Sequence, residues 1–237
     1  MSLVHFQQAF ADVVASAAAY AAAREAPSEF LTKYSLSDRE RRRLEYMLRQ
    51  VGMQTCCMLH RANRLSAINS HLPLACFVLG DRLREELQLF WVENPSTDLQ
   101  YSTEAFGFGA FLRRRLGSHV AADPYLEEIL ELELAVAEVR LVRTKEDVAH
   151  AGQPRLHPLV RVVRFRHDPA ALLRLVLSMQ PPPYTLKMGS FGLLVDGRAG
   201  QVELRTIEGE LVALLESLDH LEENEMQALC ETGLVIA

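Results

Sequence analysis

The sequence predicts an α+β fold: a helical bundle first, then a small domain of strands and helices. Three observations carry this. Apolar residues recur at steps of three and four as far as Val139, the stretch Arg143 to Pro158 is polar and has no helical stripe, and β-branched runs separated by turn residues begin at Leu159. The polar stretch holds Gly152, Pro154 and Pro158, so the division is placed there, with residues 1–148 as the helical domain and 149–237 as the α+β domain.

In the first half, Phe6, Phe10, Val13, Val14 and Ala17 lie at helical spacing and predict an opening helix over Phe6 to Tyr20, ending near Pro27. Ser37-Asp38-Arg39-Glu40 reads as a capping box. It should start one long helix whose buried stripe is Leu44, Met47, Leu48, Val51, Thr55, Met58, Leu59, Ala62 and Leu65. Pro73 suits the first turn of a further helix that Asn94-Pro95 stops, and Phe106 to Leu116 predicts another, closed by Gly117. Asp123-Pro124 caps a helix with the stripe Ala122, Tyr125, Ile129, Leu132, Val136 and Val139.

In the second half, Leu159 to Arg166 reads as a strand and Asp168-Pro169 caps a short helix. Tyr184 to Val195 and Gln201 to Ile207 read as a hairpin about the turn Asp196 to Gly200. Two short helices follow, Gly209 to Leu218 and Glu222 to Glu231, then Gly233 and a small terminal strand, Leu234 to Ile236. This order is that of a winged-helix-like module, which serves DNA, protein or peptide according to its surface.

Bulk properties narrow that choice. The 237 residues, 49% apolar and 24% charged, can bury a core, and the net charge of −6 argues against a protein that covers phosphates. Residues 155–205 hold eight Lys or Arg against three acids, whereas 206–237 hold eight acids and no Lys or Arg. The closing helices would therefore repel the backbone of a major groove. The alanine-rich stretch from Ala15 to Ala23 follows Asp12 and no Lys or Arg, so neither a signal peptide nor a membrane span is expected. Cys56, Cys57, Cys76 and Cys230 form no ligand spacing and are expected to be buried thiols in the reducing cytoplasm.

No catalytic or metal site is expected. His5, His60, His71, His119, His150, His157, His167 and His220 are scattered singly, without the spacing that aims two rings at one ion. Glu127, Glu128, Glu131, Glu133 and Glu138 share a helix and lack a facing Glu-x-x-His, so a solvated face or an interface is expected. No nucleophile elbow surrounds the serines, and Gly107-Phe108-Gly109 is too short to cradle a phosphate. Arg41-Arg42-Arg43 and Arg113-Arg114-Arg115 are candidate docking surfaces for an acidic partner, against the reading as solvated helix faces. A small sheet with an accessible edge can add a strand from a peptide, provided that the helical half does not cover the edges.

Several residues together carry a family resemblance. They are His157-Pro158, Arg164 to Pro169, Leu193-Leu194-Val195, Leu211 to Leu215 and Gly233-Leu234-Val235, with Trp91, Phe111-Leu112, Pro124-Tyr125-Leu126, Glu131 and Glu133 in the helical half. In these positions the chain resembles the partner proteins encoded beside multinuclear non-haem iron-dependent oxidative enzymes, and the helical half is similar to the DNA-binding-domain family named in that neighbourhood. The resemblance implies a non-catalytic accessory subunit, a heterodimer with the iron enzyme, which presents a ribosomally made precursor peptide for modification, with cysteine as the candidate residue. It places the iron in the partner and no cofactor on this chain. It also implies peptide pairing along Gln201, Val202, Glu203, Leu204 and Arg205, with apolar contact from Met226, Leu229 and Cys230. A DNA-binding regulator is the alternative, and an enzyme of another type the third reading.

Overall fold

In the computed structural model the described residues are 3–95, 97, 100–117, 123–143, 154–182, 185–218 and 221–236. Ala122, Tyr184, Gly152 and the histidines His119, His150 and His220, all used in the expectations above, lie outside them. The fold is α+β, mostly helical, with small antiparallel sheets. It divides into two compact units, Met1–Ser70 with Asp81–Phe108, and His71–Gly80 with Gly109–Ala237.

The first unit is helical. α1 (Leu3–Ala15) and α2 (Ala17–Glu25) replace the single opening helix expected, because the Ser16 hydroxyl accepts from the Ala19 N–H and starts a new helix there. α3 (Pro27–Phe30) and a 3-10 turn (Leu31–Lys33) lead to α4 (Asp38–Leu48), where the expected capping box is present in full between Ser37 and Glu40. Ala9, Val13, Leu31, Leu44, Leu48 and Cys57 pack into one buried core with their neighbours.

The long helix expected from Asp38 is interrupted at Arg49 and Gln50, whose N–H groups turn back to Tyr46 and Met47 carbonyls, and α5 (Val51–His71) begins in a new phase. Its buried residues are Met53, Cys57, Arg64, Ala67 and Ile68. Of the stripe expected to be buried, Leu44 and Leu48 on α4 are buried, whereas its α5 part is exposed: Val51 by 80%, Met58 by 60% and Leu59 by 59%. At 100° per residue the two sets fall on opposite faces of the helix.

α6 (Pro73–Leu79) belongs to the second unit, and α7 (Leu83–Glu93) returns to the first. α8 (Tyr101–Gly117) passes from the first unit into the second at Phe108–Gly109. Within the first unit, Arg64 Nε lies 2.5 Å from Glu104 Oε1, and its Nη2 donates to the Asn94 carbonyl at 2.8 Å. Its guanidinium also sits over the rings of Phe90 and Trp91, at 5.6 and 5.5 Å.

The second unit is built round α9 (Leu126–Arg143), buried on most of its circumference, and not on the single stripe expected. The expected division at 148/149 does not follow the compact units, because α9 packs on the sheet that comes after it. That sheet has the order β2 (Val160–His167), β3 (Met188–Asp196), β4 (Glu203–Ile207), all antiparallel, with α10 (Pro169–Leu177) between its first two strands. β1 (Arg155–Leu156), not foreseen in the polar junction, pairs with β5 (Val235–Ile236). α11 (Gly209–Glu216) and α12 (Glu223–Glu231) pack against the sheet through Leu215 and Leu229, in a core with Val160, Leu194, Leu234 and Val235. Gly192 permits this, since a Cβ there would lie 2.1 Å from Val212 Cγ2 of α11. Among the described residues no helix is long and apolar enough to cross a membrane.

Of the α9 acids, expected on a solvated face or an interface, Glu128 and Glu133 are buried structural ties, whereas Glu127 is exposed and Glu131 and Glu138 are half-buried. Glu133 is buried and accepts from the Leu74 and Ala75 N–H groups at 2.8 Å each, capping α6. Burial pushes its carboxyl up to about 7 despite those two donors. The folded chain therefore holds a proton that the unfolded chain has released between the ordinary carboxylate range and pH 7, so stability falls as pH rises through that window. Relative to a Glu133→Gln variant, the wild type should lose about 3 kcal/mol of unfolding free energy between pH 4.5 and 8. Urea unfolding of both proteins across that range checks this, and identical pH slopes would contradict it.

Candidate functional site

The sheet's hydrogen-bond alternation decides which backbone groups face outward. The Gly197 N–H donates to the Leu159 carbonyl, which makes this a directly bonded pair in the same register as Val160↔Asp196. Alternation then turns Arg161, Val163 and Phe165 toward β3 and leaves Val160, Val162 and Arg164 pointing away from it. The outward Val160 N–H indeed donates to His157, and the outward Arg166 N–H to Glu128 Oε1. On the far side, with Leu194↔Arg205 and Asp196↔Glu203, the same alternation bonds Glu203, Arg205 and Ile207 to β3 and leaves Leu204 and Thr206 facing outward.

Among the described residues β4 is thus an edge strand whose outward groups sit among exposed side chains, Leu204 being 45% exposed. Glu203, Leu204 and Arg205, three of the five residues expected to pair with a peptide, lie on it. Gln201 and Val202 do not: they belong to the connection from Gly197 to Val202, because the ladder closes at Asp196↔Glu203. The connection is pinned by Asp196, whose Oδ1 accepts from the Arg198 N–H and Nε and whose Oδ2 accepts from Nη2. The Arg198 guanidinium holds the Asp196 carboxyl below its ordinary range. Through Nη1 it also donates to the Thr232 carbonyl, tying the turn to the end of α12.

Of the apolar contacts expected on α12, Leu229 is a core residue, buried against Val160, Leu215 and Val235 and so turned away from any ligand. Met226 and Cys230 pack on the same core and keep partial exposure. The acids of α11 and α12 that are exposed include Glu210, Glu222, Glu223 and Glu225.

The two arginine clusters fall in different units. Arg42 and Arg43 on α4 are exposed, Arg41 is half-buried, and Arg43 lies over the Phe6 ring. Arg113 forms a paired contact with Glu131, at 2.5 Å through each nitrogen, while Arg114 and Arg115 lie over Phe111.

Beside the outer edge of β2 runs a cleft of about 500 Å3, which the sequence did not announce. Its walls come from Arg113 of α8, from Glu127, Glu128, Glu131 and Glu138 of α9, and from residues 161–164 and 166 of β2. Arg161 pairs with Glu138 at 2.9 Å, and Arg166 with Glu127. Glu128 is 3% exposed; its Oε1 lies 3.0 Å from His167 Nδ1, and its Oε2 is buried without a partner among the described residues.

Among the described residues no group of three or more His, Cys, Asp or Glu is placed to hold a metal ion. Cys57 and Cys76 are buried, with burial pushing Cys76 up to about 12, whereas Cys56, expected to be buried, is exposed. No model of a known protein family matches the chain, and no curated protein matches it either.

Proposed function

We propose that this chain is a cytoplasmic, non-catalytic accessory subunit that binds a ribosomally made precursor peptide by strand addition and presents it to a partner iron-dependent oxidative enzyme. The observation that carries the reading is the open outer edge of β4, where Leu204 and Thr206 direct their N–H and C=O groups away from the sheet. A peptide strand there gains main-chain hydrogen bonds, and the half-exposed Met226 and Cys230 offer apolar contact nearby on α12. The order of hairpin, two helices and closing strand supports a winged-helix-like module. Exposed acids on α11 and α12 favour a peptide over DNA, because these helices would have to approach phosphates.

The enzyme is assigned to the helical half on a second feature, the exposed stripe of α5. An apolar helix face opposite the buried one leaves Val51, Met58 and Leu59 in water, which is the composition of a protein-docking surface. Arg41, Arg42 and Arg43 on α4, and Arg113, Arg114 and Arg115 in the other unit, would then serve acidic patches of the partner. Leu59→Glu should weaken enzyme capture about tenfold or more and leave the melting temperature within a few degrees of wild type. Enzyme capture unchanged by this substitution would remove α5 from the interface.

Co-purification of the tagged chain from cells carrying the neighbouring genes, with metal analysis and mass spectrometry, tests the reading as a whole. An iron-bearing protein and a short peptide should accompany it. Recovery of specific DNA without either would replace this reading with the regulator.

A further inference from the structure

We propose that the outer edge of β2 is a second strand-addition site, separate from β4, which takes an extended peptide segment carrying a lysine or arginine. Three observations converge on it. The ladder leaves the N–H and C=O of both Val162 and Arg164 directed away from β3, and no described residue bonds to them. A strand edge of this kind is a template for another chain unless something covers it. Here a cleft of about 500 Å3 runs beside it, within the size range of ligand sites and open to an extended segment.

The chemistry of the segment follows from the cleft's charges. Arg113 pairs with Glu131, Arg161 with Glu138, and Arg164 with Glu216 outside the cleft, so those walls are neutral. At the other end Glu127 and Glu128 share the single guanidinium of Arg166, which leaves one carboxylate in excess. Glu128 Oε1 already faces the Arg166 N–H and His167 Nδ1, while Oε2 of the same buried carboxylate has no donor among the described residues. A buried, acceptor-only oxygen without a partner is costly, and a cationic side chain entering along β2 would satisfy both the hydrogen bond and the charge. The Arg166 N–H bond to Glu128 also ends the open edge at that point, so the segment's basic residue should lie opposite Arg166 when its backbone pairs with Val162 and Arg164.

The test uses the full-length chain and degenerate octapeptide pools in which one position is fixed as lysine, arginine, glutamine or glutamate, with binding read by fluorescence anisotropy. Lysine and arginine pools should bind about tenfold to a hundredfold more tightly than the glutamate pool. Glu128→Gln should remove that preference. Val162→Pro, which deletes an outward N–H without removing a ladder bond, should bring the lysine and arginine pools down to the affinity of the glutamate pool. In the Leu204→Pro background, where strand addition to β4 is removed, the basic preference should persist. If Val162→Pro fails to fold, the Glu128→Gln result and the exchange protection of the Val162 and Arg164 amides on adding the lysine pool decide. Binding without a basic preference, a preference that survives Glu128→Gln, or a dimer of the chain that Val162→Pro dissociates would overturn the proposal.

Discussion

Arg64→Ala is expected to destabilise the first unit by about 3–5 kcal/mol, a large share of the stability of a typical domain. Arg64 is 2% exposed and Glu104 5%, so removing the guanidinium strands a carboxylate where water does not reach. The substitution also removes the donor to the Asn94 carbonyl and the cation over Phe90 and Trp91. The loss belongs chiefly to the abandoned charge and not to the pair's own attraction, since desolvating two ions offsets most of what their contact contributes. Replacing both partners, Arg64→Met with Glu104→Leu, should therefore cost much less than either charge-stranding single change. Urea unfolding of Arg64→Ala and of the double variant checks this; a loss under about 1 kcal/mol for Arg64→Ala, or a double variant less stable than Arg64→Ala, would contradict it.

Leu204→Pro should reduce precursor-peptide binding about tenfold or more while the chain still captures the enzyme. The argument is one of direction. At Leu204 the N–H faces outward, so proline removes a donor that the incoming strand needs and none that holds β4 to β3. At Arg205, one residue along, the N–H belongs to the ladder, and proline there should weaken the hairpin itself. Binding measured by anisotropy, with far-ultraviolet circular dichroism as the check on folding, separates the two. Equal peptide affinity for Leu204→Pro and wild type would place the peptide elsewhere.

How far the sequence announced this structure depends on how local each signal is. Ser37 and Glu40 form their capping box as read, and Asp168 caps α10 through Oδ1 to Ala170 and Ala171, because a cap needs only neighbours in the chain. The hairpin is likewise local, though β4 begins at Glu203, two residues later than expected, where Asp196 closes the ladder. The stripe from Val51 to Leu65 was legible as a stripe but not as to what it faces. Periodicity identifies an apolar face and cannot tell a core from a partner, and the break at Arg49 and Gln50 turned the buried face to the other side.

Long-range partners were beyond reach altogether. Arg64 lies in a helical pattern like any surface arginine, and its partner is forty residues away in Glu104. Glu128 and Glu133 read as part of a solvated acidic face until the strand and helix that use them are in place. Leu229 reads as a groove residue for the same reason, and tertiary packing puts it in the core. The cleft along β2 depends on where α9 lies against the sheet, which no local pattern encodes.

The most direct test of the central claim is amide hydrogen exchange at Leu204 and Thr206, with and without whatever peptide the proposed co-purification recovers. Strand addition to β4 predicts that both amides exchange fast in the free protein and become protected when the peptide binds, with Leu204→Pro abolishing the effect at Thr206. Unchanged exchange at both positions under saturating peptide would contradict peptide pairing on this edge.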